Sequence, residues 1–455
     1  MVSAAYNCWP PEPEMRIPPP TSRYSLTSGI SLRECGKTER EAAQLELLRR
    51  HLELAGTSEF YREKFQQVGL VPSQLRSLAE LHKLPLTERA DLNRGHGCFF
   101  PAADLTATDL ALTSGTTGNA VTVPYTSNDL ERLAYNEMIA FFRIGIKPGQ
   151  RVLLCVTLDR CFIAGLAYYT GLVRLGATAI RSGAGSPSRQ WELIRTLNPS
   201  VIVGVPTFLW QLAQWGLEHG LDPTRAGIET LVTIGEPIRK ADLTLTPLGE
   251  MLEKGWGAKT YGSYGATELE TAFVECPATA GGHVHPELML VEIIDETGTP
   301  VPDGQPGEVV VTPLGVEGLP LVRFRTGDVA RLYPEPCSCG WQTPRLGPIE
   351  GRLAQRLKCR GTTLYPENIF QAIDEIPGIA AYYVEARAHF SLADEITVVV
   401  GGDEAVEPAA IQERLQAKLR VKPEVIKRSP AEVVAVIEKG SGRKMKRFFD
   451  FRKVE

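Results

Sequence analysis

No stretch of about 18 residues in this chain runs free of charge or glycine breaks, so no membrane-spanning helix is expected. Residues 1–20 are rich in proline and carry acidic residues, but they have no apolar core, which argues against a signal peptide. An excess of positive charge is missing too: 49 Lys and Arg stand against 54 Asp and Glu, for a net charge of -5. The strongest basic run, Arg443-Lys444-Met445-Lys446-Arg447, is short and isolated, so neither nucleic acid nor a membrane surface is an expected partner. Nine cysteines, an odd number scattered along the chain, exclude a simple disulfide framework and read as reduced thiols of a cytoplasmic protein, with room for a metal site. No internal repeat or long low-complexity tract occurs. What remains is 455 residues, 43% of them hydrophobic, enough for two or more cores.

The most informative stretch is Leu112-Thr113-Ser114-Gly115-Thr116-Thr117-Gly118-Asn119, framed by Ala111 and by Val121-Thr122-Val123. Its glycines let the backbone turn tightly and offer N–H groups to an anion, and its hydroxyls add neutral donors that can wrap a triphosphate. The lysine of the GxxxxGK[ST] loop is absent, and Ser/Thr/Gly runs are often only turns. Two more segments follow: Tyr261-Gly262-Ser263-Tyr264-Gly265-Ala266-Thr267-Glu268 and Arg323-Phe324-Arg325-Thr326-Gly327-Asp328. Three ordered motifs are far more specific than one.

Apolar runs at residues 151–156, 201–205 and 231–234 alternate with helical periodicity at 164–175 and 189–197, the pattern of a parallel sheet covered on both faces. Residues 38–54 and 60–67 have helical spacing. From Leu290 the texture turns to punctuated strands at 291–294, 308–312 and 321–325. Later strands are expected near 381–384 and 396–400, with a helix at 409–419. The expected class is α/β: an extended arm over residues 1–32, a large domain over 33–351 with a β-rich subdomain at about 285–350, and a small mobile α+β domain over 352–455.

In this order the three motifs resemble the adenylate-forming superfamily, and most nearly its phenylacetate-CoA ligase family. That resemblance extends from Ser58-Glu59-Phe60-Tyr61-Arg62-Glu63-Lys64-Phe65, through Leu84-Pro85-Leu86-Thr87 and Gly235-Glu236-Pro237, to Gly440-Ser441-Gly442-Arg443-Lys444. It implies activation of a carboxylic acid by ATP to an acyl-adenylate, then transfer to coenzyme A, or alternatively to an amine. A nucleotide sensor on the same fold would have no need of Lys444.

The resemblance also implies roles for individual residues. Glu268, with Thr267 beside it, would hold Mg²⁺, a hard cation suited to a carboxylate. Thr113, Ser114, Gly115, Thr116, Thr117 and Gly118 would wrap the phosphates, and Gly235, Glu236, Pro237, Tyr264 and Gly265 would complete the nucleotide site. Asp328 would accept from the ribose hydroxyls and Arg352 would contact ribose or phosphate. Lys444, with Lys446 as its rival, would stabilise the charge that develops as pyrophosphate leaves. Tyr135, Phe141, Phe162, Ile163, Gly204, Pro206 and Tyr261 match positions that shape the acyl pocket in relatives and suggest a medium-sized aromatic or cyclic acid. Cys276, His283, Cys337 and Cys339 suit a structural tetrahedral Zn²⁺, as relatives carry a similar Cys and His pair and a late Cys-x-Cys. A homodimer is the expected assembly. Two departures stand out: Ala354-Gln355 replaces the Asp-Asp pair after the hinge Gly-Arg, and Asn119-Ala120-Val121 replaces the lysine that commonly follows the phosphate loop.

Overall fold

A computed structural model describes residues 24–101, 105–113, 120–359, 362–389, 393–419, 421–439 and 446–452. These residues fold as two compact bodies. The first takes the described chain up to Leu245, then Gly249–Thr326 and Arg331–Pro348; the second takes Thr246–Leu248, Gly327–Ala330 and the described residues from Ile349 onward.

The first body opens with helices α1 (Leu26–Glu34), α2 (Lys37–Ala55) and α3 (Glu59–Val68). Helix α1 corrects the expected extended arm at its end. Ser25 caps it by accepting from the Ser28 N–H, and the buried Arg33 ties it to Glu287 and His285, so a segment with little helical pattern of its own is ordered by tertiary contacts. Strands β1 (Asp109–Leu112) and β2 (Thr122–Tyr125) pair antiparallel with Leu112 opposite Thr122. Helix α4 (Ser127–Arg143) follows behind a capping box of Thr126 and Asp129, which satisfies two N–H groups the helix would otherwise leave bare.

The main sheet is then laid down by alternation: β3 (Arg151–Leu154), α5 (Ile163–Leu175), β4 (Thr178–Arg181), α6 (Pro187–Leu197), β5 (Val201–Gly204), α7 (Pro206–Glu218), β6 (Thr230–Ile234), α8 (Pro247–Trp256), β7 (Lys259–Ala266) and β8 (Thr271–Val274). Its order is β4-β3-β5-β6-β7-β8, parallel except where β8 runs against β7. All four residues of β5 are buried, as a central strand covered on both faces must be. Register sets Thr233 opposite Gly262 and Ile234 opposite Ser263. The carboxyl ends of β6 and β7 therefore lie side by side, the usual ligand edge of such a sheet.

The β-rich part holds β9 (Gly282–His283), β10 (Met289–Ile294), β11 (Gly307–Pro313), β12 (Phe324–Ala330), β13 (Leu332–Tyr333) and β14 (Arg345–Leu346). The strand expected at 321–325 begins only at Phe324, because Arg323 takes a left-handed φ of 45°. Its buried guanidinium is committed to Glu292 and to the carbonyls of His82 and Leu84, which bend the chain before it extends.

In the second body β15 (Gly351–Arg352) pairs with the end of β12, and β16 (Leu357–Cys359) pairs with β17 (Thr362–Leu364). Helix α9 (Pro366–Asp374), β18 (Ile379–His389), β19 (Ala393–Gly402), α10 (Pro408–Leu419), β20 (Glu424–Arg428), α11 (Pro430–Lys439) and β21 (Phe448–Asp450) complete it. The sheet order is β20-β19-β18-β21. Alternation along the strands explains its two cores: Tyr382, Val384, Val398 and Val400 pack with α9 and α10, while Tyr383 and Val399 pack with Val433 and Ile437 of α11.

Candidate active site and metal centre

Thr113 closes the neck of the glycine-rich loop: its N–H donates to Val121 O at 3.0 Å and its hydroxyl accepts from the Val121 N–H at 2.9 Å. The other loop positions proposed for phosphate, Ser114, Gly115, Thr116, Thr117 and Gly118, lie outside the described residues, as does Lys444.

The ends of β6 and β7 bring the next group together. Gly235 leaves β6 with φ of 87°, a turn that a residue with Cβ rarely makes. Glu236 is spoken for, accepting from the N–H and the hydroxyl of Thr207, both at 3.0 Å; it fastens the start of α7 and acts as scaffold for the turn. Strand β7 carries Tyr264 and Gly265 and runs into a short 3-10 turn, Thr267–Leu269. Tyr125 donates its hydroxyl to Thr267 O at 3.2 Å, and Glu270 ends the turn at φ of 50°. The buried Arg132 grips the Glu270 carbonyl at 2.6 Å while also bonding the carbonyls of Leu314 and Leu288. Glu268 thus sits on a turn fixed from both sides, its side chain only 6% exposed, and its Oε1 accepts from the guanidinium of Arg89. Arg89 escaped the sequence reading, although it lies two residues past the quoted Leu84-Pro85-Leu86-Thr87 run.

In the second body Asp328 and Arg352 face each other, with Arg352 Nε donating to Asp328 Oδ1 at 3.0 Å.

The positions assigned to the acyl pocket divide. Phe141 and Tyr261 share one apolar cluster with Tyr168 and Val232, and the Phe141 and Tyr168 rings lie 5.8 Å apart. Phe162 and Ile163 stand at the start of α5, and Gly204 and Pro206 at the β5–α7 junction. A Cβ on Gly204 would come within 2.8 Å of Leu209, so this junction needs the glycine. Tyr135 does not join them: it packs with Tyr24, Met138, Ile139, Leu288 and Trp341 and donates its hydroxyl to Glu287 at 2.5 Å. Six residues on a helix turn through about 240°, so Tyr135 and Phe141 leave α4 on different sides.

Cys276, His283, Cys337 and Cys339 do converge. Their ligating atoms all lie within 4.8 Å of one another, with Cys276 Sγ 3.6 Å from Cys337 Sγ and Cys339 Sγ 3.3 Å from His283 Nε2. His283 Nδ1 is 2.8 Å from the Thr343 hydroxyl. That contact orients the ring with Nε2 toward the thiols, as a supporting partner does in a metal site. Burial first, then the charges of Arg345, Arg143 and Arg33, lower the His283 pKa to about 3, which keeps the imidazole neutral and able to ligate. Burial pushes the Cys276 thiol up to about 12. At Cys339 burial also raises the pKa, but the Trp341 N–H and Arg143 outweigh it, leaving a net lowering. Three sulfurs and one imidazole nitrogen in one small space match the donor set and number of a closed zinc site.

Similarity to known proteins identifies the chain's family. The AMP-binding enzyme family matches residues 61–316. A phenylacetate-coenzyme A ligase of Thermus thermophilus is 30% identical over 418 residues, 87% of this chain and 92% of that protein. Another of the same name, from Pseudomonas putida, is 33% identical over 350 residues, 75% of this chain and 76% of its own length. Among solved structures, a 2-hydroxyisobutyryl-CoA ligase in the postadenylation state, in complex with 2-HIB-AMP, superposes with a TM-score of 0.83 at 23% identity, covering 97% of this chain and 95% of that one, a likeness of fold.

Proposed function

Since the chain belongs to the AMP-binding enzyme family and is similar along most of its length to phenylacetate-coenzyme A ligases, we propose that it joins a carboxylic acid to coenzyme A in two steps. The acid's carboxylate first attacks the α-phosphorus of ATP, forming an acyl-adenylate and releasing pyrophosphate. The thiol of coenzyme A then displaces AMP to give the thioester. The observation that carries this reading is the buried Glu268 carboxylate, held on a fixed turn that joins β7 to β8 just past the end of β6. A magnesium ion there would neutralise charge between the phosphoryl groups.

In this reading Thr113 and the loop beyond it wrap the phosphates, Tyr264, Gly265 and the 235–237 turn flank the nucleotide, and Asp328, oriented by Arg352, accepts from the ribose. Lys444, on the domain beginning near residue 352, meets the carboxylate and the α-phosphate. Phe141, Phe162, Ile163, Gly204, Pro206 and Tyr261 enclose an aromatic or cyclic acid. The Cys276, His283, Cys337 and Cys339 quartet holds a structural zinc ion.

Pyrophosphate exchange across a panel of aryl, arylacetic and cyclic acids, followed by product mass with coenzyme A or with amines, tests the proposal. Exchange with at least one acid and a coenzyme A thioester as product are expected. An amide as sole product would move the second step to an amine, and no exchange with any acid would remove the first.

A further inference from the structure

Glu268 is already paired in this structure, and its partner has a built-in route of release. Arg89 donates to Glu268 Oε1, yet the arginine side chain is 38% exposed while the carboxylate is 6% exposed. A carboxylate so buried is costly to leave bare, whereas a half-exposed guanidinium can withdraw into water at small cost.

The segment that delivers Arg89 is fixed independently of Glu268. Thr87 bridges to Phe324, with its N–H donating to Arg323 O and its carbonyl accepting from Arg325 N–H. The Thr87 hydroxyl donates to Val322 O at 2.7 Å and so accepts from Tyr61 at 2.8 Å. Lys64 binds Leu86 O and Asp91 at 2.7 and 2.9 Å, and Glu88 and Asp91 close a capping box around the turn that starts at Arg89. The anchors hold the backbone; only the arginine's own side chain is free to leave.

We propose that Arg89 is the resident counter-cation of the divalent-metal position at Glu268, displaced when metal and nucleotide arrive together. The proposal rests on the reading of Glu268 as the metal-holding carboxylate. Bound to Glu268, Arg89 holds the carboxylate in place, and it opposes loading of a bare divalent cation. A metal–nucleotide complex offers phosphate oxygens to both cations, so it can take over the carboxylate while the freed guanidinium turns to the phosphates beside it. The consequence is an order of loading: metal enters with nucleotide, and poorly without it.

Manganese(II) is the probe, followed by electron paramagnetic resonance on the full chain as wild type, Arg89→Met, Arg89→Lys, Glu268→Gln and the double variant Arg89→Met with Glu268→Gln, with and without a non-hydrolysable ATP analogue. Without nucleotide, Arg89→Met should bind Mn²⁺ about fivefold more tightly than wild type, the scale of one lost competing ion pair. Glu268→Gln should abolish the difference, and Arg89→Lys, which keeps the charge, should restore weak wild-type binding. Equal Mn²⁺ affinity in wild type and Arg89→Met, or an Arg89→Met gain that survives in the double variant with Glu268→Gln, overturns the proposal. Pyrophosphate exchange by the wild type is read separately, so a failed metal-displacement role and a failed ligase reading give different results. Should Arg89→Met not fold, Arg89→Gln carries the same comparison.

Discussion

Arg352 Nε donates to Asp328 Oδ1 at 3.0 Å across a two-residue antiparallel bridge in which the two residues are direct partners. Asp328 is buried and Arg352 is 45% exposed, so the arginine orients the carboxylate. If that carboxylate serves a ribose, Asp328→Ala should weaken ATP binding by about 10- to 100-fold, the scale of one or two hydrogen bonds to a charged group. Arg352→Ala should cost only a few-fold, because a half-exposed pair contributes about 1 kcal/mol or less. Calorimetric titration with ATP measures both; wild-type affinity in Asp328→Ala would remove the residue from the nucleotide site.

The thiol and imidazole quartet makes a second prediction. The purified protein should carry about one equivalent of zinc, since a four-ligand structural site is closed. Cys339→Ser should lose metal and melting temperature together. Thr343→Val leaves every ligand in place but removes the hydroxyl beside His283 Nδ1, and should weaken zinc by about 10- to 100-fold. Elemental analysis and chelator competition supply the readings, and metal-free protein of undiminished stability would make these four residues ordinary buried side chains.

What the residues disclosed before the fold was known depended on how local the cause was. Strand and helix periods are local, and the expected strands at 151–156, 201–205 and 231–234 and helices at 164–175 and 189–197 match β3, β5, β6, α5 and α6 with ends shifted by a residue or two, while β4 and α7 went unmarked. The quartet was legible because cysteine and histidine are scarce enough for four of them to form a pattern. Tyr135 packs in a different cluster from Phe141, a separation that motif matching, which supplies position without helical phase, does not show. Arg89 was invisible for the opposite reason: its partner lies 179 residues away, and no local period marks an ion pair that a sheet edge and an N-terminal turn create together. The left-handed Arg323 is similar, its conformation set by Glu292 and two carbonyls from distant segments.

Glu137 on α4 supplies a pH prediction. It is fully enclosed, with Oε1 accepting from Asn136 at 3.0 Å, and burial raises its pKa from the ordinary 4.5 to about 8, with the Asn136 bond opposing. The fold therefore favours the protonated acid. Between these two values the native state binds more protons than the unfolded chain, so stability is fully present below about pH 4.5 and declines as pH rises toward 8. The decline from this one group is on the order of 3–5 kcal/mol. Glu137→Gln keeps the acceptor for Asn136 and cannot ionise, so its unfolding free energy should fall less steeply from pH 5 to 8 than that of the wild type. Denaturant titrations at several pH values give the two slopes, and parallel slopes would mean that Glu137 is charged in the fold.

The lysine assignment ends in a choice between two neighbours. Lys444 lies outside the described residues, but Lys446 has a place: its ammonium rests over the Phe449 ring, 5.1 Å from the centroid, just before β21. A lysine held over an aromatic face beside a strand is poorly suited to swing onto an α-phosphate, whereas Lys444 ends the Gly440-Ser441-Gly442-Arg443-Lys444 run that carries the family resemblance. Loss of the main cationic donor at the phosphoryl centre should remove roughly 3 kcal/mol of transition-state stabilisation, about a hundredfold in rate, with little change in ATP affinity. Lys444→Ala should accordingly lose pyrophosphate exchange while binding ATP nearly as the wild type does, and Lys446→Ala should keep exchange within a few-fold. The reverse pattern would transfer the role to Lys446 and require the Phe449 contact to open during turnover, which Phe449→Ala would then accelerate.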